Sequence, residues 1–232
     1  MTTRMVVLAV AAVGLWLAGA APSHASTITE PGPQTGATYE SQVVMSDLDL
    51  AHYHGSVGAK SWAEPGNPAG AKGWTHTSSW SALDLTGISG PTLLTVELER
   101  GHGGTSQLFP AFSLYSGLET VNSDATNHTF NNTGNISWAT NLTYIDHVAN
   151  GGGPLGTASG TGLEAVSRQW VLGPGLYTLI YGGNPSFALG QTGSHAFSAT
   201  LTTAPVPVPA ALWLFGSGFA GLVGLARRRL TV

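Results

Sequence analysis

The sequence predicts a mainly β protein: an antiparallel β-sandwich or jelly-roll body, preceded by an N-terminal signal helix and followed by one C-terminal transmembrane helix. Three observations lead there. Apolar and polar side chains alternate strictly in several short runs, which is the two-residue period of a half-buried strand. Glycine contributes 32 of 232 residues, about twice ordinary usage, and Gly, Ser, Thr and Asn fill the gaps between runs, which favours turns over helices. Near both ends, in contrast, long uncharged apolar stretches lie next to arginine, the composition of targeting segments.

Taken in order, Arg4 provides a short positive region and residues 5–21 form an apolar stretch. Ser23-His24-Ala25 then places small residues where a signal peptidase reads them, so the expected cut lies between Ala25 and Ser26, with 1–25 as the signal peptide. No twin-arginine pair and no lipobox cysteine accompany it. The body is expected to span 26–203. Its clearest strand is "TLLTVELER", where Leu94, Val96 and Leu98 alternate with Thr95, Glu97 and Glu99. "HAFSATLTT" alternates in the same way, with Phe197, Ala199 and Leu201 inward. "SALDLTG" turns Leu83 and Leu85 inward, and "QLFPAFSLYSG" puts Phe112 and Leu114 on one face, with Pro110 marking an edge position or a bulge. "WVLGPGLYTLIYGGNPS" reads as a hairpin-like pair about a Gly-Pro-Gly turn, and its second half, apolar on both faces, as a central strand. Weaker strands are expected near 39–45, 50–57, 74–81 and 136–145. Residues 64–73 and 150–162 read as loops, and 202–209 as an extended, proline-rich linker. A body of this length can bury a core without cross-links.

Residues 209–226 are 18 in number and carry no charge. At about 1.5 Å per residue they just reach across a bilayer core of about 30 Å. Arg227, Arg228 and Arg229 follow and stay cytoplasmic by the positive-inside rule, so the segment enters from the outer side. The order Val206-Pro207-Val208-Pro209-Ala210, an apolar segment with Trp-Leu-Phe-Gly-Ser-Gly, then the arginine cluster resembles the PEP-CTERM sorting signal in its VPLPA variant, here over 204–232. The resemblance implies recognition and cleavage near the Pro-x-Pro strip by an exosortase, a membrane-embedded cysteine transpeptidase. It also implies passage through the inner membrane to the cell surface or matrix of an exopolysaccharide-producing Gram-negative bacterium. Val208 stands where the founding motif has Glu. The body segments "GWTHTSSWSALDL", "LFPAFSLYSG" and "LGPGLYTLIYGGN" are loosely similar to exported bacterial pre-peptidase C-terminal domains, which implies a non-catalytic adhesion or substrate-contact module.

Composition narrows the chemistry. The chain has no cysteine, which excludes a disulfide framework, a thiolate metal site and a cysteine nucleophile. All twelve acidic residues lie between Glu30 and Glu164, with only Lys60, Lys72, Arg100 and Arg168 as basic residues of the body, a net charge there of −8. That balance argues against binding to nucleic acid or to anionic lipid headgroups. The expected partners are signal peptidase, an exosortase, the inner membrane in transit and exopolysaccharide; no cofactor is expected. No His-Glu-x-x-His, Gly-x-Ser-x-Gly, P-loop or dinucleotide fingerprint is present, and "GHGGTS" lacks the P-loop lysine. Glu97 and Glu99 could pair as glycosidase carboxylates, but strand alternation already explains both as a solvated face. Asp146 and His147 are neighbours, and on a regular strand they point to opposite faces. His52 and His54, two residues apart, share a strand face and are candidate metal ligands that His76 or His102 could join; Asp47 and Asp49 are candidate calcium ligands. Trp62, Trp74, Trp80, Trp138 and Trp170 are candidate sugar-stacking platforms, against the alternative that they pack the fold. Asn127, Asn131, Asn135 and Asn141 form sequons that read as loop composition.

Overall fold

The computed structural model describes residues 26–33, 39–58, 78–101, 108–120, 136, 139–149, 163–184 and 194–206. They form ten strands and no helix: β1 Thr27–Thr29, β2 Ser41–Val44, β3 Asp49–Gly58, β4 Ser79–Asp84, β5 Thr92–Arg100, β6 Phe109–Ser116, β7 Thr143–Ala149, β8 Ala165–Leu172, β9 Leu176–Asn184 and β10 Ser194–Pro205. Two sheets result, one of six strands in the order β1-β2-β4-β9-β6-β7 and one of four in the order β3-β10-β5-β8. Every pair is antiparallel except β2 with β4. The expected signal helix (1–25) and transmembrane helix (209–226) lie outside the described residues. Among the described residues, no helix is long and apolar enough to cross a membrane.

Alternation does the packing. Odd-numbered Ala51, Tyr53, Phe197, Ala199 and Leu201 and even-numbered Leu94, Val96 and Leu98 leave the four-stranded sheet on one face. They meet Val43, Leu83, Phe112, Leu114, Leu179 and Tyr181 from the six-stranded sheet in one buried core. The rings of Tyr53, Tyr181 and Phe197 pack together within it, Tyr181 and Phe197 at 5.1 Å between centroids. Cores of this kind bury apolar area at roughly 25 cal/mol per Å². A second, smaller cluster covers the outer face of the six-stranded sheet, where Tyr39, Trp80, Ala82, Tyr115 and Ile180 meet Ile136 and Leu142 from the connection between β6 and β7. Glu119 fastens that connection. Its fully buried carboxylate accepts from the backbone N–H groups of Thr120, Thr140 and Asn141, at 2.8, 2.8 and 3.1 Å. A buried carboxylate is tolerable only with such donors around it.

Several expectations need correction. The weak strand near 74–81 and the run at Leu83 and Leu85 are one strand, β4, with Leu85 just beyond its end; residues 74–77 lie outside the described residues. The strand expected near 136–145 is displaced to Thr143–Ala149. The Gly-Pro-Gly turn makes no hairpin: Leu172 pairs with Thr92 in one sheet and Leu176 with Asp84 in the other, so the turn carries the chain between sheets. Pro110 marks neither an edge strand nor a bulge. β6 lies between β9 and β7, and Pro110 is tolerated because the β7 ladder begins only at Ala111. The bulge lies opposite Leu114 and Tyr115, where β7 carries Ile145 as an extra residue. The linker expected from 202 begins later, since Thr202, Thr203, Ala204 and Pro205 all pair with β5. β5 and the inward set of β10 agree with the alternation, and the central place of β9 agrees with a run apolar on both faces.

Candidate functional site

Three places collect chemistry. The first is the outer face of the four-stranded sheet. β3 is an edge strand, and pairing sets His52 beside Thr200 and Glu97, and His54 beside Ser198 and Glu99, in two successive rows. His52 Nδ1 bonds Thr200 Oγ1 at 3.0 Å and His54 Nδ1 bonds Ser198 Oγ at 3.0 Å. The histidines therefore share a face as their spacing demands. Glu97 and Glu99 lie a full strand further on, about 10 Å away by the ordinary strand spacing. Among the described residues no three His, Asp or Glu side chains come together as a metal site. His76 and His102 lie outside the described residues. Asp47 and Asp49 are engaged by turns. Asp47 Oδ1 accepts from Ser89 N at 2.9 Å, and Asp49 accepts from Ser46 N, Ser46 Oγ and Leu50 N.

The second place is the seam between edge strands β7 and β8. Asp146 Oδ2 accepts from Arg168 Nε at 2.9 Å and from Trp170 Nε1 at 3.1 Å, with Arg168 Nη2 at 2.8 Å. Burial pushes the Asp146 carboxyl up. The backbone N–H of His147, the Trp170 indole and the Arg168 guanidinium outweigh burial together and hold it below the ordinary carboxylate range. The Ile145 bulge returns Tyr144 and His147 to one face, where Tyr144 Oη and His147 Nδ1 lie 2.5 Å apart. The expectation that Asp146 and His147 make no simple side-chain pair therefore agrees with the geometry: their side chains bond to different residues. Trp170 stands edge-on to Phe112, and Trp80 packs edge-on to Tyr39 with its Nε1 donating to Ser78 Oγ. Of these two candidate sugar platforms, Trp80 is buried and Trp170 is half-buried against the core. Trp62, Trp74 and Trp138 lie outside the described residues.

The third place is the end of the body where both described chain termini meet. Ser26, the residue after the expected signal-peptidase cut, donates its hydroxyl to the Leu50 carbonyl at 2.6 Å. At the same end β10 is held to its last residue: Pro205 pairs with Thr92, Thr92 Oγ1 donates to the Ala204 carbonyl at 2.7 Å, and Thr203 Oγ1 donates to the Ser46 carbonyl at 2.6 Å. Val206 follows, exposed. It is the first residue of the expected sorting strip; Pro207, Val208, Pro209, Ala210, Arg227, Arg228, Arg229 and, at the other terminus, Ala25 lie outside the described residues. Sequence reasoning missed Glu119 and the partners of Asp146, because both depend on contacts between distant segments. It also missed His195, on the inward face of β10 at the opposite end. Burial pushes its imidazole below the ordinary range.

No protein-family model matches the chain, and no characterised protein matches it in sequence. Among solved structures it is similar to CorA, described as a surface-associated copper-binding protein important in Methylomicrobium album BG8 copper acquisition. The identity is 16% and the TM-score 0.43, over 65% of this chain and 91% of that one.

Proposed function

We propose that this chain is an exported, non-enzymatic β-sandwich protein of the cell surface or extracellular matrix. It is held in the inner membrane by residues 209–226 and processed by an exosortase at Pro207-Val208-Pro209. One observation carries the reading: Ser26 and Val206 emerge at the same end of the body. A domain delivered by a signal peptide and retained by a tail segment has both termini drawn to one membrane. The clamped end of β10 brings the fold up to Pro205, so the described chain ends at exposed Val206, the first residue of the expected strip. Prolines there keep it extended, because each lacks an N–H and biases its predecessor away from helix. The non-enzymatic reading rests on commitment of the polar side chains: Asp146, Glu119, Asp47 and Asp49 are each occupied in holding strands or turns together.

Carbohydrate contact is the second reading. The connections 59–78, 102–107, 150–163 and 185–193 all leave and rejoin the strands at the end opposite Val206. Trp62 and Trp74 belong by sequence to the first of them, and both lie outside the described residues. The deciding experiment for the leading reading is intact mass of the protein in surface and membrane fractions of the native host. The surface form is expected to begin at Ser26 and to lack residues after the proline strip, and Pro207→Ala with Pro209→Ala to leave the tail uncut. A surface form that retains Val232 would refute processing.

A further inference from the structure

We infer that the end of the body from which Val206 emerges is a membrane-docking face, whose occupant is the headgroup–acyl boundary of the bilayer entered by residues 209–226. The inference rests on the reading of that segment as a span. Its first support is the distribution of exposed apolar side chains. Of the seven large ones among the described residues, six lie at this end: Val44, Leu48, Leu50, Val171, Leu176 and Val206. Only Leu163 lies elsewhere. Scattered exposed apolar residues are ordinary, whereas a gathering at one end marks an interaction surface.

Register shows how they gather. On the outer face of the four-stranded sheet, Ala204, Leu93 and Val171 form one row across three strands. Leu50 begins the next row, on the edge strand beside Thr202. Further along the same face the rows turn polar: His52, Thr200, Glu97 and Ser167, then His54, Ser198 and Glu99. On the six-stranded sheet, Val44 and Leu176 flank Asp84 in the final row. The outer face of the four-stranded sheet is therefore apolar in its last row at the Val206 end and polar in the rows farther from it.

Chain length supplies the second support. Four residue steps separate Pro205, fixed in the sheet, from Pro209, the first residue of the apolar segment. A fully extended chain covers at most about 14 Å in that distance. The headgroup layer on each side of a bilayer takes roughly 5–8 Å of it. If 209–226 spans, the Val206 end has almost no room to stand off from the lipid. An apolar surface held there gains by entering the boundary, as interfacial segments do. The attraction is apolar and not electrostatic. Arg100 and Arg168, the only Lys or Arg among the described residues, lie away from this end, while Asp47, Asp49 and Asp84 lie at it with their carboxylates bonded to turn N–H groups.

The absence of cysteine makes the test direct. Single variants Leu48→Cys, Val171→Cys, Leu163→Cys and Leu214→Cys, made in the full chain and purified from a secreting host, would each carry one environment-sensitive fluorophore. They would be reconstituted in nanodiscs of phosphatidylethanolamine and phosphatidylglycerol with brominated acyl chains, and circular dichroism would verify the fold of each. Bromine is expected to quench the labels at 48, 171 and 214 and to spare the label at 163, with quenching at 48 and 171 unchanged by high salt. Quenching at 214 alone would overturn the docking face and leave the span standing. No quenching at 214 would overturn the span and the docking face with it. Quenching at 163 equal to that at 171, or loss of quenching in salt, would overturn the apolar face as the cause.

Discussion

Asp146 shows how much one side chain can hold in a fold of two sheets. It points inward from edge strand β7 and meets Arg168 and Trp170, which point inward from edge strand β8. Inward-facing charge at an edge also discourages pairing with other chains. Because the folded carboxyl titrates below its unfolded value, the ionised form stabilises the fold above the ordinary carboxylate range. That contribution is lost as pH falls through the folded, lowered pKa. Asp146→Asn is therefore expected to cost about 1 kcal/mol near neutral pH, an amount typical of a partly exposed, charge-assisted pair. The gap between the two proteins should close in acid, below the carboxylate range. Urea melts of both across pH would check this, and a gap that stays constant into acid would mean that geometry rather than charge carries the contact. The adjacency of Asp146 and His147 was legible from the residues alone. Their actual partners were not, since Arg168 comes from another sheet and the link of His147 to Tyr144 depends on a bulge.

Strand periodicity was readable wherever one face is buried and the other wet. β5 alternates without a break, and its bounds follow from the pattern. Turns were harder, because a Gly-Pro-Gly sequence bends the chain whether the next strand pairs back or crosses to a second sheet. The end of β6 is the position where a single backbone atom decides. Gly117 has φ +95°, its N–H bonds the Leu176 carbonyl, and a Cβ there would lie 2.1 Å from the Asn141 carbonyl oxygen. Gly117→Ala is expected to destabilise by roughly 1–3 kcal/mol through backbone strain together with the clash. Gly90 has open space around it and no such φ, so Gly90→Ala is expected to be neutral or to stabilise by at most about 1 kcal/mol. Thermal melts of the pair would check both, and equal behaviour of the two variants would count against the role given to Gly117.

At the scale of the molecule, the two sheets close on one core and are tied at both seams, by Ser26 to Leu50 on one side and by Asp146 to Arg168 on the other. The body is accordingly expected to fold without either terminal segment. A fragment of residues 26–206 should show a β-type circular dichroism spectrum and a cooperative melt, because both sheets share one core. The bounds matter. Ending the fragment at Thr203 removes the pairing of Ala204 and Pro205 with β5 and the bond from Thr92 Oγ1. That should lower stability by about 1–2 kcal/mol, the worth of one or two hydrogen bonds. Identical denaturation midpoints would show that β10 needs only its inner residues.

By itself, the sequence determined the mainly β class of the body, the inward set of its clearest strands and the shared face of His52 and His54, and it raised the expectation of an address at each end. These are local properties: a two-residue period, a run of uncharged residues and a cleavage pattern are each legible within a few turns of chain. Only the tertiary structure decided which strands join which sheet, that Trp80 is buried and Trp170 half-buried against the core, that Glu119 is a buried fastener, and that Ser26 and Val206 share an end. Each of those depends on residues from separate segments of the chain. Their placement depends on how the two sheets share one core, and local periodicity is the same whichever sheet a strand joins.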